Sequence, residues 1–88
     1  MDKNDVPRII NQVFVESFEI DLKELTPEKK IFEELGLDSL DIVDLVVAIQ
    51  KKFNVKIRDD ERIRAIRTLQ DLYDYVILLG TEMSASHQ

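Results

Sequence analysis

Leu35-Gly36-Leu37-Asp38-Ser39-Leu40, followed by Asp41-Ile42-Val43-Asp44-Leu45-Val46-Val47-Ala48-Ile49, is the stretch whose reading decides the fold. Gly36 closes an acidic segment, and Asp-Ser ahead of an apolar run is a helix start. The β-branched residues of the run would also suit a strand. The acids at 38, 41 and 44, spaced by three, and the length of the run decide for a helix from about Ser39 to Phe53. More than half of its circumference is apolar, so it is buried on several sides or keeps a face for binding. Ser39 stands at its mouth. Either Asp38 or Ser39 caps the free amides there, or the serine is exposed and carries something.

Working outward, Val6, Ile9, Ile10, Val13, Phe14 and Phe18 follow a helical stripe and predict a first helix over about 4–17, with Asn4 or Asp2 as cap and Pro7 in the first turn. The connection from Glu19 to Leu37 is long enough to be functional or to hide structure. Ile20, Leu22 and Leu25 are its expected anchors. Thr26-Pro27-Glu28 reads as the start of a short helical turn over 27–34, ended by Gly36. Beyond Phe53, Val55 and Ile57 anchor a connector, and Asp59-Asp60-Glu61 begins a short helix to about Ala65. Thr68, with Asp71 three residues on, opens a last helix whose stripe is Leu69, Leu72, Val76 and Leu79, with Gly80 as its expected end. The expectation is an all-α fold: a small four-helix bundle of three longer helices and a short third one, with a long first loop. It places one domain at 1–80 and a disordered tail at 81–88.

Composition bounds what such a domain can do. With 88 residues the chain holds one domain. The net charge of −6 weighs against nucleic acid, whose binding rests on neutralising phosphates. No apolar run reaches the ~18 residues of a membrane span. The chain has no cysteine, so disulfides and thiolate metal sites are excluded. Its one histidine, His87, falls in the tail, leaving no support for Ser-His catalysis or a metal site. The cytoplasm is the simplest compartment. Charge is also uneven: Glu33, Glu34, Asp38, Asp41 and Asp44 make an acidic front, and Lys51, Lys52, Lys56, Arg58, Arg62, Arg64 and Arg67 a basic back interrupted by Asp59, Asp60 and Glu61.

Leu-Gly-x-Asp-Ser-Leu, then an acidic-edged apolar helix, then Phe-x-Val-x-Ile, resembles the acyl carrier protein family over about residues 5–79. The resemblance implies a carrier and not an enzyme. It places 4′-phosphopantetheine, received from coenzyme A, on Ser39, and acyl groups as thioesters on the thiol of that arm. It makes Asp38 and Leu40 the motif residues beside the attachment point. It matches Asp41 and Asp44 to acids that partners meet with Arg or Lys, and Val47 to an exposed apolar contact. Some of Val43, Val46, Ala48, Ala65 and Ile66 would line an acyl pocket. The implied partners are a phosphopantetheinyl transferase and acyl-processing enzymes (synthases, reductases, acyltransferases), met by a monomer without membrane insertion.

The chain also departs from the pattern of bacterial fatty-acid carriers. Gln50-Lys51-Lys52 stands where acids usually continue, Ile57-Arg58-Asp59-Asp60 where the loop usually has Ile-Pro-Asp-Glu, and Arg62, Arg64 and Arg67 in a usually acidic helix. These differences point to a specialised bacterial carrier in fatty-acid or specialised lipid synthesis. A carrier of aminoacyl, peptidyl or polyketide units, or an unmodified interaction module of the same fold, are the alternatives. Leu37, where peptidyl carriers often have glycine, favours acyl cargo.

Overall fold

The computed structural model describes residues 3–57 and 61–86, the side chains of residues 3, 61 and 81–86 excepted. Four α-helices follow in order: α1 (Val6–Phe18), α2 (Ser39–Phe53), α3 (Glu61–Arg64) and α4 (Leu69–Ser86), with no strand among the described residues. The all-α bundle with one short helix and a long first loop is the architecture the periodicity predicts. A 3-10 turn, Lys3–Asp5, leads into α1. Asp5 rather than Asn4 stands at its cap position, and its side chain makes no cap hydrogen bond; Asp2 lies outside the described residues.

The stripes meet as amphipathic helices must. Val6, Ile10, Val13 and Phe14 of α1 pack with Leu45, Ile49 and Phe53 of α2 and Leu69, Leu72, Tyr73 and Val76 of α4 in one core. Burying each such side chain contributes roughly 1.5–3 kcal/mol against the entropy of ordering the chain. Lys52 Nζ lies 3.7 Å from Glu16 Oε1, tying the end of α2 to α1. The Tyr73 hydroxyl donates to Asn11 Oδ1, joining α4 to α1. Burial raises the Tyr73 pKa above its ordinary value, an effect that this bond partly offsets.

The first loop departs from expectation in an informative way. Leu25 is buried and Ile20 half-buried, but Leu22 is 62% exposed, because it sits in a 3-10 turn, Leu22–Glu24, that presents it to solvent. No helix forms over 27–34. The carbonyls of Pro27 and Lys29 accept from the amides of Gln70 (2.8 Å) and Leu69 (3.0 Å), and the Ile31 amide donates to the Arg67 carbonyl at 2.8 Å. Backbone groups committed to α4 cannot also build a local ladder, so only isolated turns close: Lys29 N–H onto Thr26 C=O at 3.0 Å, and the Glu34 and Leu35 N–H groups onto Lys30 C=O at 2.9 and 3.1 Å. Ile31, fully buried, locks that loop into the core.

Val55 and Ile57 anchor the next connector as expected. Asn54 ends α2 in the left-handed region (φ 53°), and Gln50 Oε1 accepts from the Ile57 amide at 2.8 Å. The acids Asp59 and Asp60, expected at the start of the third helix, lie with Arg58 outside the described residues. The last helix does not stop at Gly80. It continues to Ser86, because a single glycine weakens a helix without ending it. His87 and Gln88 are outside the described residues, so the expected disordered tail is met by a helical backbone as far as Ser86.

At the other end of α4, Thr68 Oγ1 accepts from the Asp71 amide and Asp71 Oδ2 from the Thr68 amide, both at 3.2 Å, and also from the Arg67 amide at 3.1 Å. The Arg67 and then the Thr68 amide hold the Asp71 carboxyl below its ordinary pKa. A lowered pKa adds stability that is present above the unfolded-state value and is lost as pH falls through the folded one. Asp71→Ala should therefore cost about 1 kcal/mol at neutral pH. In urea midpoints measured across pH, its difference from wild type should shrink steadily below about pH 4.

Candidate functional site

The start of α2 is built by Gly36 and Asp38. Gly36 takes φ +76°, the left-handed region that glycine enters without strain, and turns the loop toward the helix. Asp38 then leaves the chain extended (φ −116°, ψ −173°) as cap residue. Its Oδ1 accepts from the Asp41 amide at 2.9 Å, and Asp41 Oδ2 accepts from the Asp38 amide at 3.1 Å. This reciprocal box decides between the two candidate caps: Asp38 is the cap. Ser39 is the first helical residue, exposed, and its hydroxyl makes no hydrogen bond among the described residues.

Two helices of this chain start with the same chemistry and differ in one respect. At α4 the box of Thr68 and Asp71 is supplemented by the first loop, whose carbonyls take the Leu69 and Gln70 amides. At α2 the Ile42 amide closes the first turn on the Asp38 carbonyl at 3.1 Å, but the equivalent amides, of Ser39 and Leu40, have no partner among the described residues. Free amides at the positive end of a helix dipole favour a phosphate. The exposed hydroxyl sits on the first of them.

Around it, Leu40 is 77%, Val43 60% and Val47 42% exposed, a row of apolar side chains held in water on one side of α2. Asp44 is exposed beside them, whereas Asp41 is half-buried and engaged in the cap. On the inner side, a cavity of about 200 Å³ reaches Ser39 and is walled by Ile42, Leu45, Val46 and Ile49 of α2, Ile31 and Phe32 of the loop, Ile57, Ile63, Arg64 and Ile66, and Leu72 and Tyr75 of α4.

The family model described as "Phosphopantetheine attachment site" matches residues 8–76. An acyl carrier protein of Campylobacter concisus is 41% identical over 71 residues, 81% of this chain and 91% of its own, and one of Helicobacter hepaticus is 39% identical over 67 residues, 76% and 87%. The crystal structure of an acyl carrier protein from Thermotoga maritima superposes with a TM-score of 0.77 at 34% identity, covering 94% of this chain and 95% of that one. The chain belongs to the acyl carrier protein family. Its cofactor is phosphopantetheine, and it carries acyl groups rather than transforming them.

For an acyl carrier the fit of the residues is direct: an exposed serine hydroxyl, two free amides and an apolar cavity adjoin one another. Of the pocket residues expected from sequence, Val46 and Ile66 line the cavity. Val43 points to solvent, Ala65 is exposed and Ala48 packs on the core instead. Sequence reading missed Ile31, Phe32, Ile63 and Tyr75 as cavity walls; the adjacent apolar pair Ile31-Phe32 inside an acidic loop was the available signal. Part of the basic back is engaged within the chain. Lys52 pairs with Glu16, and the Arg62 guanidinium stacks 5.5 Å from the Tyr75 ring centre. Lys51 and Lys56 remain exposed, and Arg58 lies outside the described residues.

Asp38→Ala should lower the stability of the unmodified protein by about 1 kcal/mol, since it removes the cap, whereas Ser39→Ala should change it by less than about 0.5 kcal/mol. Urea midpoints check both. The reverse ranking would make Ser39 the cap.

Proposed function

We propose that Ser39 is the residue that takes the 4′-phosphopantetheine arm, and that α2 presents the arm to partner enzymes. The observation that carries this reading is the division of labour at the helix start: Asp38 and Asp41 cap it, leaving the Ser39 hydroxyl exposed and the Ser39 and Leu40 amides open to a phosphate. The arm supplies a thiol, which the chain lacks, to hold acyl groups as thioesters. The protein's own part is to orient that arm, enclose the cargo and be recognised.

Recognition falls to Leu40, Val43 and Val47, whose apolar surface suits the centre of a small interface, with Asp44 as the charged edge facing Arg or Lys of a partner. Asp38 and Asp41 add negative potential while serving the cap. The partners are a phosphopantetheinyl transferase and acyl-processing enzymes in fatty-acid or specialised lipid synthesis, met in the cytoplasm by a monomeric carrier. The lining of the cavity supports an alkyl acyl cargo over aminoacyl or peptidyl units, which would bring unpaired amide groups against isoleucine and leucine. Exposed Lys51 and Lys56 favour partners with acids opposite that end of the helix, the basis for a specialised role.

Incubated with coenzyme A and a phosphopantetheinyl transferase, the wild-type protein should gain the mass of one arm and Ser39→Ala none, at unchanged helicity. A wild type that gains nothing, or a Ser39→Ala protein that is modified, sinks the assignment. Asp44→Lys leaves the cap intact and should slow transfer several-fold at low salt, with the difference closing as ionic strength rises. Equal rates at both salt levels would remove Asp44 from recognition.

A further inference from the structure

A second cavity, of about 280 Å³, lies beside the apolar one and is lined by Lys30, Phe32, Glu33, Arg64, Ile66 and Arg67. Three side chains, Phe32, Arg64 and Ile66, line both. They are the partition between a chamber of isoleucine and leucine that opens at Ser39 and a cleft in which Lys30, Glu33, Arg64 and Arg67 bring charge beside Phe32 and Ile66. Phe32 is 45% exposed, so its ring stands at the boundary rather than in the core, where its neighbour Ile31 is fully buried.

We propose that Phe32, backed by Ile66, sets the length of acyl chain this carrier encloses. The inference rests on the assignment of the arm to Ser39. An apolar cavity of 150 Å³ takes a six-carbon ring, so about 200 Å³ takes roughly eight carbons. A longer chain meets the partition. Past it lie Lys30, Glu33 and Arg67, and a methyl end gains little by leaving water for a cleft edged by charged groups. The cargo class that fits is a medium-length saturated acyl chain, and Phe32 is the residue that determines this specificity without touching the thioester chemistry.

The test loads wild type, Phe32→Ala and Phe32→Leu with thioesters of about four to about sixteen carbons. It follows hydroxylamine cleavage by intact mass, together with the melting temperature of each loaded form. Each enclosed methylene is worth up to about a fourfold change in the enclosed-to-exposed ratio. Protection in the wild type should therefore climb with chain length to about eight carbons and then level off. In Phe32→Ala the climb should extend by about four carbons, because deleting the ring leaves a space that closes only partly. Phe32→Leu keeps most of the volume, serves if the alanine variant does not fold, and should extend the climb by only about one or two carbons. A plateau at the same length in wild type and in every folded variant overturns the proposal, as does wild-type protection still rising at about sixteen carbons. Failure of the wild type to accept the arm overturns the Ser39 assignment and this inference together. Normal loading with an unmoved plateau overturns the partition alone.

Discussion

The backbone contact between the first loop and the start of α4 is the constraint on which the rest of this structure depends. Pro27 and Lys29 give their carbonyls to amides that the helix itself cannot satisfy, and Ile31 returns its amide to Arg67. These bonds join groups about forty residues apart in a chain with few long-range ties. They seat Ile31 in the core, and with it the turn that delivers Gly36 and Asp38 to the start of α2. Without that clamp a connection of this length would be mobile, and its closure would cost entropy without return. Held by it, the loop becomes one wall of the cavity.

The same contact explains why one helix start is filled and the other open. Both carry an acidic residue at the third helical position that bonds back to the cap residue. At α4 the loop fills the two amides ahead of the box; at α2 nothing in the described chain does. The serine therefore needs no special strain or buried base to be distinctive. It is an ordinary first-turn residue at the one long capped helix start left open to an incoming phosphate. Partner enzymes bring the chemistry.

Much of this was legible in the residues. The stripes of α1, α2 and α4 follow from a 3.6 period strong enough to survive the β-branched run Val46-Val47, and the bounds of α2 came out at Ser39 and Phe53. The pairing of Thr68 with Asp71 was readable from spacing alone. The loop was not. Thr26-Pro27-Glu28 is a good local helix start, and what overrules it is a set of hydrogen bonds to residues that no window around position 27 contains. Leu22 failed as an anchor for a related reason: hydrophobicity says that a side chain would rather be buried, and only the path of the backbone says whether it can be. Gly80 misled in the opposite direction, since helix ends need more than one weak residue. At the site, the resemblance named Ser39 as the attachment point, but local chemistry left the cap open, because Asp38 and Ser39 are equally good caps and only geometry shows which one turns its oxygen to the Asp41 amide.

The charge pattern ends up divided in the same way between fold and function. Asp41 looked like a recognition acid, and its carboxylate is half of a capping box; Lys52 and Arg62 looked like a basic face, and they brace α2 against α1 and stack on Tyr75. A charge that is tied down is less available to a partner, because leaving its bond must be offset before any new contact counts. Subtracting those residues leaves Asp44 near the middle of α2 and Lys51 in its last turn, about ten ångströms apart along the axis at 1.5 Å per residue. Between them lies Val47, 42% exposed. A partner that reads this face must therefore present a base and an acid across one apolar contact.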